Sequence, residues 1–130
     1  SAARARGLVT KGRALLGLNQ FEAADAVVQE GLGFAKDGKP QALLLILQGD
    51  VLSAMADKLA AEGQVEAAQA KHGEAAAKFM IPSQFFDDEE VTPEALDKAS
   101  KALQKAGQAD KASDFQKVLK QKYPSYSSKS

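Results

Sequence analysis

The phrase Asn19-Gln20-Phe21-Glu22-Ala23-Ala24 has two relatives in this chain, Gly63-Gln64-Val65-Glu66-Ala67-Ala68 and Gly107-Gln108-Ala109-Asp110-Lys111-Ala112. Ala24, Ala68 and Ala112 stand 44 residues apart (24 to 68, 68 to 112). Leucines keep the same register: Leu8, Leu52 and Leu96, then Leu15, Leu59 and Leu103. An even period of this length constrains the fold more than any single motif. It marks an array of supersecondary units, each too small to bury its apolar face except against its neighbours.

The unit reads as helical. Ala, Leu, Lys, Gln and Glu are abundant, β-branched residues are sparse, and apolar positions recur every three to four residues. Breaks fall at Gly17-Leu18-Asn19, Lys36 to Pro40, Glu62-Gly63, Ile81-Pro82-Ser83, Thr92-Pro93, Ala106-Gly107 and Tyr123-Pro124. Six helices are therefore expected at about 2–17, 20–36, 41–61, 64–80, 93–106 and 108–122. Gly63 and Gly107 can take the left-handed conformation that ends a helix, and Asn19 is the next best residue for it. The small Ala that follows in each copy lets two helices approach closely. The predicted fold class is all-α: a right-handed α-solenoid of three antiparallel helix hairpins.

A chain of 130 residues is about one domain. The reading is a single repeat domain over 1–124, with units at about 5–38, 39–82 and 83–123, and a flexible polar tail over 125–130. With 45% hydrophobic and 26% charged residues the chain reads as folded and soluble. Seventeen basic side chains balance seventeen acidic ones, so no overall field favours nucleic acid or anionic lipid. The most apolar run, Ala42 to Leu47, stops at Gln48 and is far short of the roughly 18–20 residues that span a bilayer. There is no cysteine, which excludes disulfides and thiolate chemistry but fixes no compartment.

At Leu8, Gly12, Leu15, Phe21, Ala24, Val28 and Leu32 the first unit resembles the tetratricopeptide repeat (TPR) in its helix-packing positions. The other two units extend the resemblance to about Tyr123. The period of 44 is longer than that family's unit of about 34, and the usual Trp and Tyr positions are mostly aliphatic. A HEAT-like array, with a period of about 40–47, is the alternative of similar architecture. The extra residues lie in the helix at 41–61 and in Ser83 to Thr92, which reads as a loop. Helix 41–61 is apolar nearly all round in its first half, so burial on several sides is expected. Phe79, Met80, Ile81, Phe85 and Phe86 are expected to fold back over Leu43 to Leu47.

Several residues invite a chemical reading. His72, the only histidine, lies at the repeat position of Val28 and Gln116. With no partner nucleophile or acid at a motif spacing, it reads as a packing residue rather than a catalytic one. Asp87-Asp88-Glu89-Glu90 lacks the alternation and glycine of a calcium loop. It reads instead as a solvated loop leading into a helix that Thr92 caps and Pro93 opens. Lys98, Lys101, Lys105, Lys111, Lys117, Lys120 and Lys122 carry no interleaved aromatic platform for nucleic acid, so they read as the polar outer face of a terminal repeat.

The resemblance implies a concave groove lined by the first helix of each hairpin. That places Arg6, Val9 and Arg13, then Asp50, Ser53 and Asp57, then Glu94, Asp97 and Lys101 along it. Acidic and aliphatic residues at these places do not reproduce the Lys, Asn and Arg clamp with which some TPR domains hold a carboxylate. Arg13, Asp57 and Lys101 are themselves 44 apart, so their alternating charges either bridge neighbouring repeats or meet a ligand. The function expected is a non-catalytic protein–protein interaction scaffold whose partner is a protein or peptide, with no cofactor, metal, nucleic acid or membrane insertion. Two other readings are a small-ligand sensor or enzyme centred on His72 or the acidic loop, and self-association through an N-terminal apolar face that includes Leu8 and Val9.

Overall fold

The computed structural model describes residues 1–128, and these form six helices with no strand among them. They are α1 (Ala2–Gly17), α2 (Phe21–Phe34), α3 (Gly38–Ala61), α4 (Val65–Phe85), α5 (Val91–Lys105) and α6 (Ala109–Lys122). Helices adjacent in sequence pack together throughout, and α3 also touches α1 and α5. Among the described residues the backbones of α2 and α4, and of α4 and α6, do not approach closely. The odd-numbered helices thus form the spine.

The repeated phrase builds the same turn three times. Asn19, Gly63 and Gly107 have φ of 60°, 80° and 84°, the left-handed region. In each copy the amide of the next residue donates back to a leucine carbonyl: Gln20 to Leu15 at 2.9 Å, Gln64 to Leu59 at 2.9 Å and Gln108 to Leu103 at 2.8 Å. The left-handed residue itself donates to Leu16, Ala60 or Gln104. This pair of bonds is the Schellman closure, which satisfies carbonyls that a helix end otherwise strands. The Gln carbonyl then accepts from the amide of Ala24, Ala68 or Ala112, opening the second helix. All three alanines are buried.

Helix α3 is the hub. Ala42 and Ile46 join the main apolar cluster with α4, α5 and α6; Leu44 joins Ala5, Val9 and Ala35; Leu47 and Val51 join Ala24 and Val28. Three directions of burial explain why the helix lacks a polar stripe in its first half, as its sequence predicts. Close approach depends on missing side chains opposite. A Cβ at Gly31 would stand 2.7 Å from Leu44, and one at Gly49 would stand 2.3 Å from the Phe79 ring. Val9 is buried in this packing and Leu8 is half-buried, so the N-terminal apolar face expected to include them does not expose Val9.

The stretch expected to be a loop from Ser83 to Thr92 is shorter. Helix α4 runs through Pro82 to Phe85, and α5 already begins at Val91. Pro82 cannot donate to the preceding turn, but it is fully buried, and the Ser83 hydroxyl donates to the Met80 carbonyl at 2.7 Å. Apolar burial offsets the lost bond. Phe79 is buried in the main cluster, and Met80 and Phe86 pack against it. Ile81 and Phe85 do not fold back as expected: they are 37% and 77% exposed. Phe85 and Val118 flank a shallow recess of about 220 Å³ between the end of α4 and α6.

Thr92 is not the cap of α5. Asp88 holds that place: its Oδ1 accepts from the amides of Glu90 at 2.8 Å and Val91 at 3.0 Å, and its carbonyl accepts from Thr92 N–H. Thr92 reciprocates, its hydroxyl accepting from Asp88 N–H at 2.9 Å and donating to the Phe86 carbonyl. This is a capping box stretched by one residue. The bonds from the Val91 and Glu90 amides hold the Asp88 carboxyl below its usual pKa.

Candidate functional site: a charged furrow between the first and fifth helices

One face of α1 carries Arg6, Val9, Thr10 and Arg13; one face of α5 carries Glu94, Asp97, Lys98 and Lys101. Both sets follow helical spacing, so each lines one side of a shared furrow. Its two halves are a cleft of about 430 Å³ that includes Arg6, Arg13, Lys39 and Glu94, and one of about 720 Å³ that includes Arg13, Glu94, Asp97, Lys98 and Lys101. Arg13, Glu90 and Glu94 border both, which joins the halves into one depression.

The floor is an ion-pair network. Lys98 Nζ lies 2.9 Å from Asp50 on α3 and 2.9 Å from Glu94 on its own helix. Burial works to lower the Lys98 pKa, but the two carboxylates outweigh it and hold it above the ordinary value. Burial pushes the Asp50 carboxyl up, against the pull of Lys98 in the other direction. Losing either partner would leave a poorly hydrated charge behind. Lys101 pairs with the buried Asp97 carboxylate at 3.1 Å, and Lys39 reaches Asp88 and Glu90 at 3.5 Å each.

Of the expected groove residues, Arg6, Arg13, Glu94, Asp97 and Lys101 line the furrow, and Asp50 lies in its floor network. Ser53 is half-buried on α3 and borders neither half. Asp57 is elsewhere, 3.5 Å from both His72 on α4 and Lys105 on α5. The bridge across Arg13, Asp57 and Lys101 is therefore not made. Neighbouring units are bridged instead by Asp50 to Lys98 and Asp57 to Lys105, because residues 48 apart, four more than the period of 44, face each other across the α3–α5 contact. The lysines expected on an outer face divide accordingly: Lys98, Lys101 and Lys105 turn to carboxylates, while Lys111, Lys117, Lys120 and Lys122 on α6 are exposed.

His72 is 5% exposed, with Nδ1 unpartnered and Nε2 facing Asp57. Burial chiefly, then the Lys105 charge, lower its pKa, and Asp57 acts against them. Among the described residues no group of three or more His, Asp or Glu side chains is placed to hold a metal ion.

The sequence did not mark Glu89, Glu90, Lys39 or Tyr126 as part of this site. The first three sit at or beside helix starts, where the repeat gives no register. Tyr126 lies in what reads as a tail, and its signal is an aromatic ring in an otherwise small and polar segment. That ring is half-buried against the main cluster, and Ser125–Ser128 form a wall of the larger cleft. Lys129 and Ser130, the rest of the expected tail, lie outside the described residues.

These features define an all-helical protein with packed adjacent helices and a polar furrow. No protein-family model, curated protein or solved structure matches the chain. No helix among the described residues is long and apolar enough to cross a membrane.

Proposed function

We propose that the chain is a non-catalytic interaction scaffold: a right-handed, TPR-like solenoid of three antiparallel helix hairpins that binds a protein or peptide segment in its concave groove. The observation that carries this reading is the furrow of α1 and α5, where residues from the first and third units converge on open space. The three like turns and the contacts of α3 with α1 and α5 support the stacked architecture. A furrow lined by charges of both signs suits an extended segment read by shape and modest electrostatics, with hydrogen bonding spread along its length.

The test is affinity capture from the native source with the whole chain as bait, beside the reversals Arg13→Glu and Glu94→Lys and a control reversal on α6, Lys117→Glu. A partner lost from both furrow variants and kept by the control supports the groove. A partner held equally by all four proteins removes it.

A further inference from the structure

Asp97 sits where the groove should meet a ligand, yet it is buried. What covers it is the segment Ser125–Ser128. Tyr126 and Ser128 border Asp97 in the cleft of about 720 Å³ and again in one of about 340 Å³ on the other side, so the Tyr126 ring stands between the two. Lys101 Nζ bridges the arrangement, 3.1 Å from Asp97 and 2.8 Å from the Ser128 hydroxyl. Burial and the nearby Asp97 and Glu94 carboxylates push the Tyr126 hydroxyl pKa up, in keeping with a ring laid over the acidic face of α5.

Resting on the groove reading above, we propose that Ser125–Ser128 is a built-in occupant of the third unit's groove. The partner it stands in for is a peptide carrying a tyrosine followed by small hydroxyl residues. The segment is hung from a fixed point: Tyr123 packs in the main cluster, its hydroxyl donates to Asp87 at 2.8 Å, and Tyr126 N–H closes a turn onto the Tyr123 carbonyl at 3.0 Å. Beyond that turn, the half-buried ring and the exposed Lys101–Ser128 bond hold it. A short tether gives the ring an effective concentration in the millimolar range, enough to compete with a weak ligand arriving from solution. The charged residues beneath serve either occupant in the same way: Asp97 accepts from a phenol, and Lys101 donates to a hydroxyl or backbone carbonyl.

The experiment uses the full chain with Tyr126→Ala, labelled for amide NMR, and a blocked synthetic peptide of sequence Pro-Ser-Tyr-Ser-Ser, the residues at 124–128. The variant should keep the wild-type circular dichroism spectrum, and the peptide should shift the amides of Asp97, Lys98 and Lys101. Binding to wild type should be weaker by about tenfold, because the tethered ring must first leave. Ser128→Ala, an exposed change that leaves the ring in place, should strengthen peptide binding by about twofold to fivefold relative to wild type through the lost hydrogen bond. Equal binding to wild type and Tyr126→Ala at the α5 amides overturns the built-in occupant and leaves the groove standing. Shifts confined to the Phe85 and Val118 face overturn both. No binding to Tyr126→Ala overturns the occupant alone, since capture with the Arg13 and Glu94 reversals judges the groove separately.

Discussion

The turns that join α1 to α2, α3 to α4 and α5 to α6 are built alike, while the connections that join α2 to α3 and α4 to α5 share only an extended residue, Ala35 or Phe86, at the end of the preceding helix. Each turn uses one left-handed residue and the same backbone bonds, all within six residues of sequence. The first connection is an extended Ala35 and a glycine start at Gly38; the second is an acidic segment held by Asp88 and Thr92. Local backbone chemistry therefore fixes the three turns, and packing between distant helices fixes how one pair of adjacent helices meets the next. The furrow lies with the second kind, because Glu89, Glu90 and Lys39 all stand at the connections.

Packing between helices is most vulnerable at Phe79, near the end of α4, whose ring lies against the bare backbone of Gly49. Phe79→Ala should cost about 3–5 kcal/mol, the range for deleting a buried aromatic ring. Gly49→Ala alone should cost about 1–3 kcal/mol by overpacking. Combined, the two should cost less than their sum, because the first change vacates the space the second fills. Urea titration of the four proteins measures this, and strict additivity would show that the ring and the glycine do not share that space.

The turns depend on single residues and respond on a smaller scale. Gly63→Ala places a Cβ in the left-handed region at φ 80° and should cost about 1–2 kcal/mol, although nothing else crowds the site. Asn19→Gly should move stability by only a few tenths of a kcal/mol, because Asn tolerates that conformation and its bonds are backbone ones. If both changes prove equally harmless, the left-handed closure is not what selects Gly and Asn there.

This asymmetry also explains how much could be read from the sequence. Helix positions and the three closures were legible because glycine, asparagine and the leucine register act within a few residues. The all-round burial of α3 was legible for the same reason, since a helix without a polar stripe has no face to leave in water. Pro82 misled, because whether a proline ends a helix depends on what buries its ring, and that is decided by α4's neighbours. Thr92 misled in a subtler way: it was expected to cap the helix, but Asp88, four residues earlier, takes the free amides, and Thr92 reciprocates by accepting from Asp88 N–H. In the furrow, the lining residues of α1 and α5 were legible as one face of each helix, because helical register sets which residues share a face. Asp57 was misassigned because the α3–α5 contact pairs it with Lys105 rather than with Lys101.

The second connection has its own test. Asp88→Ala removes the acceptor for Glu90 and Val91 N–H and should cost about 1 kcal/mol, as the loss of a helix cap does. The effect should be absent from Asp87→Ala, whose carboxylate meets Tyr123 rather than the helix start. A loss confined to Asp87→Ala would reassign the cap and, with it, the way α5 is aimed at the furrow.

The smallest effect is expected at His72, where the repeat itself supplies the control. Val28 occupies the equivalent place in the first unit, so His72→Val installs a residue the architecture already accepts. The folded pKa is depressed, chiefly by burial and then by Lys105, below the unfolded value of about 6.5. Between those two values the unfolded chain binds more protons than the folded one, so stability rises with pH across that window. The contribution of neutral His72 is present above about pH 6.5 and is lost as pH falls through the folded pKa. Asp57 makes the loss small, since it faces Nε2 and favours the charged ring. Melting temperatures of wild type and His72→Val should therefore separate in the variant's favour as pH is lowered from 7.5 to 5. Parallel curves would mean that the imidazole gains as much from Asp57 as it loses by burial and by Lys105.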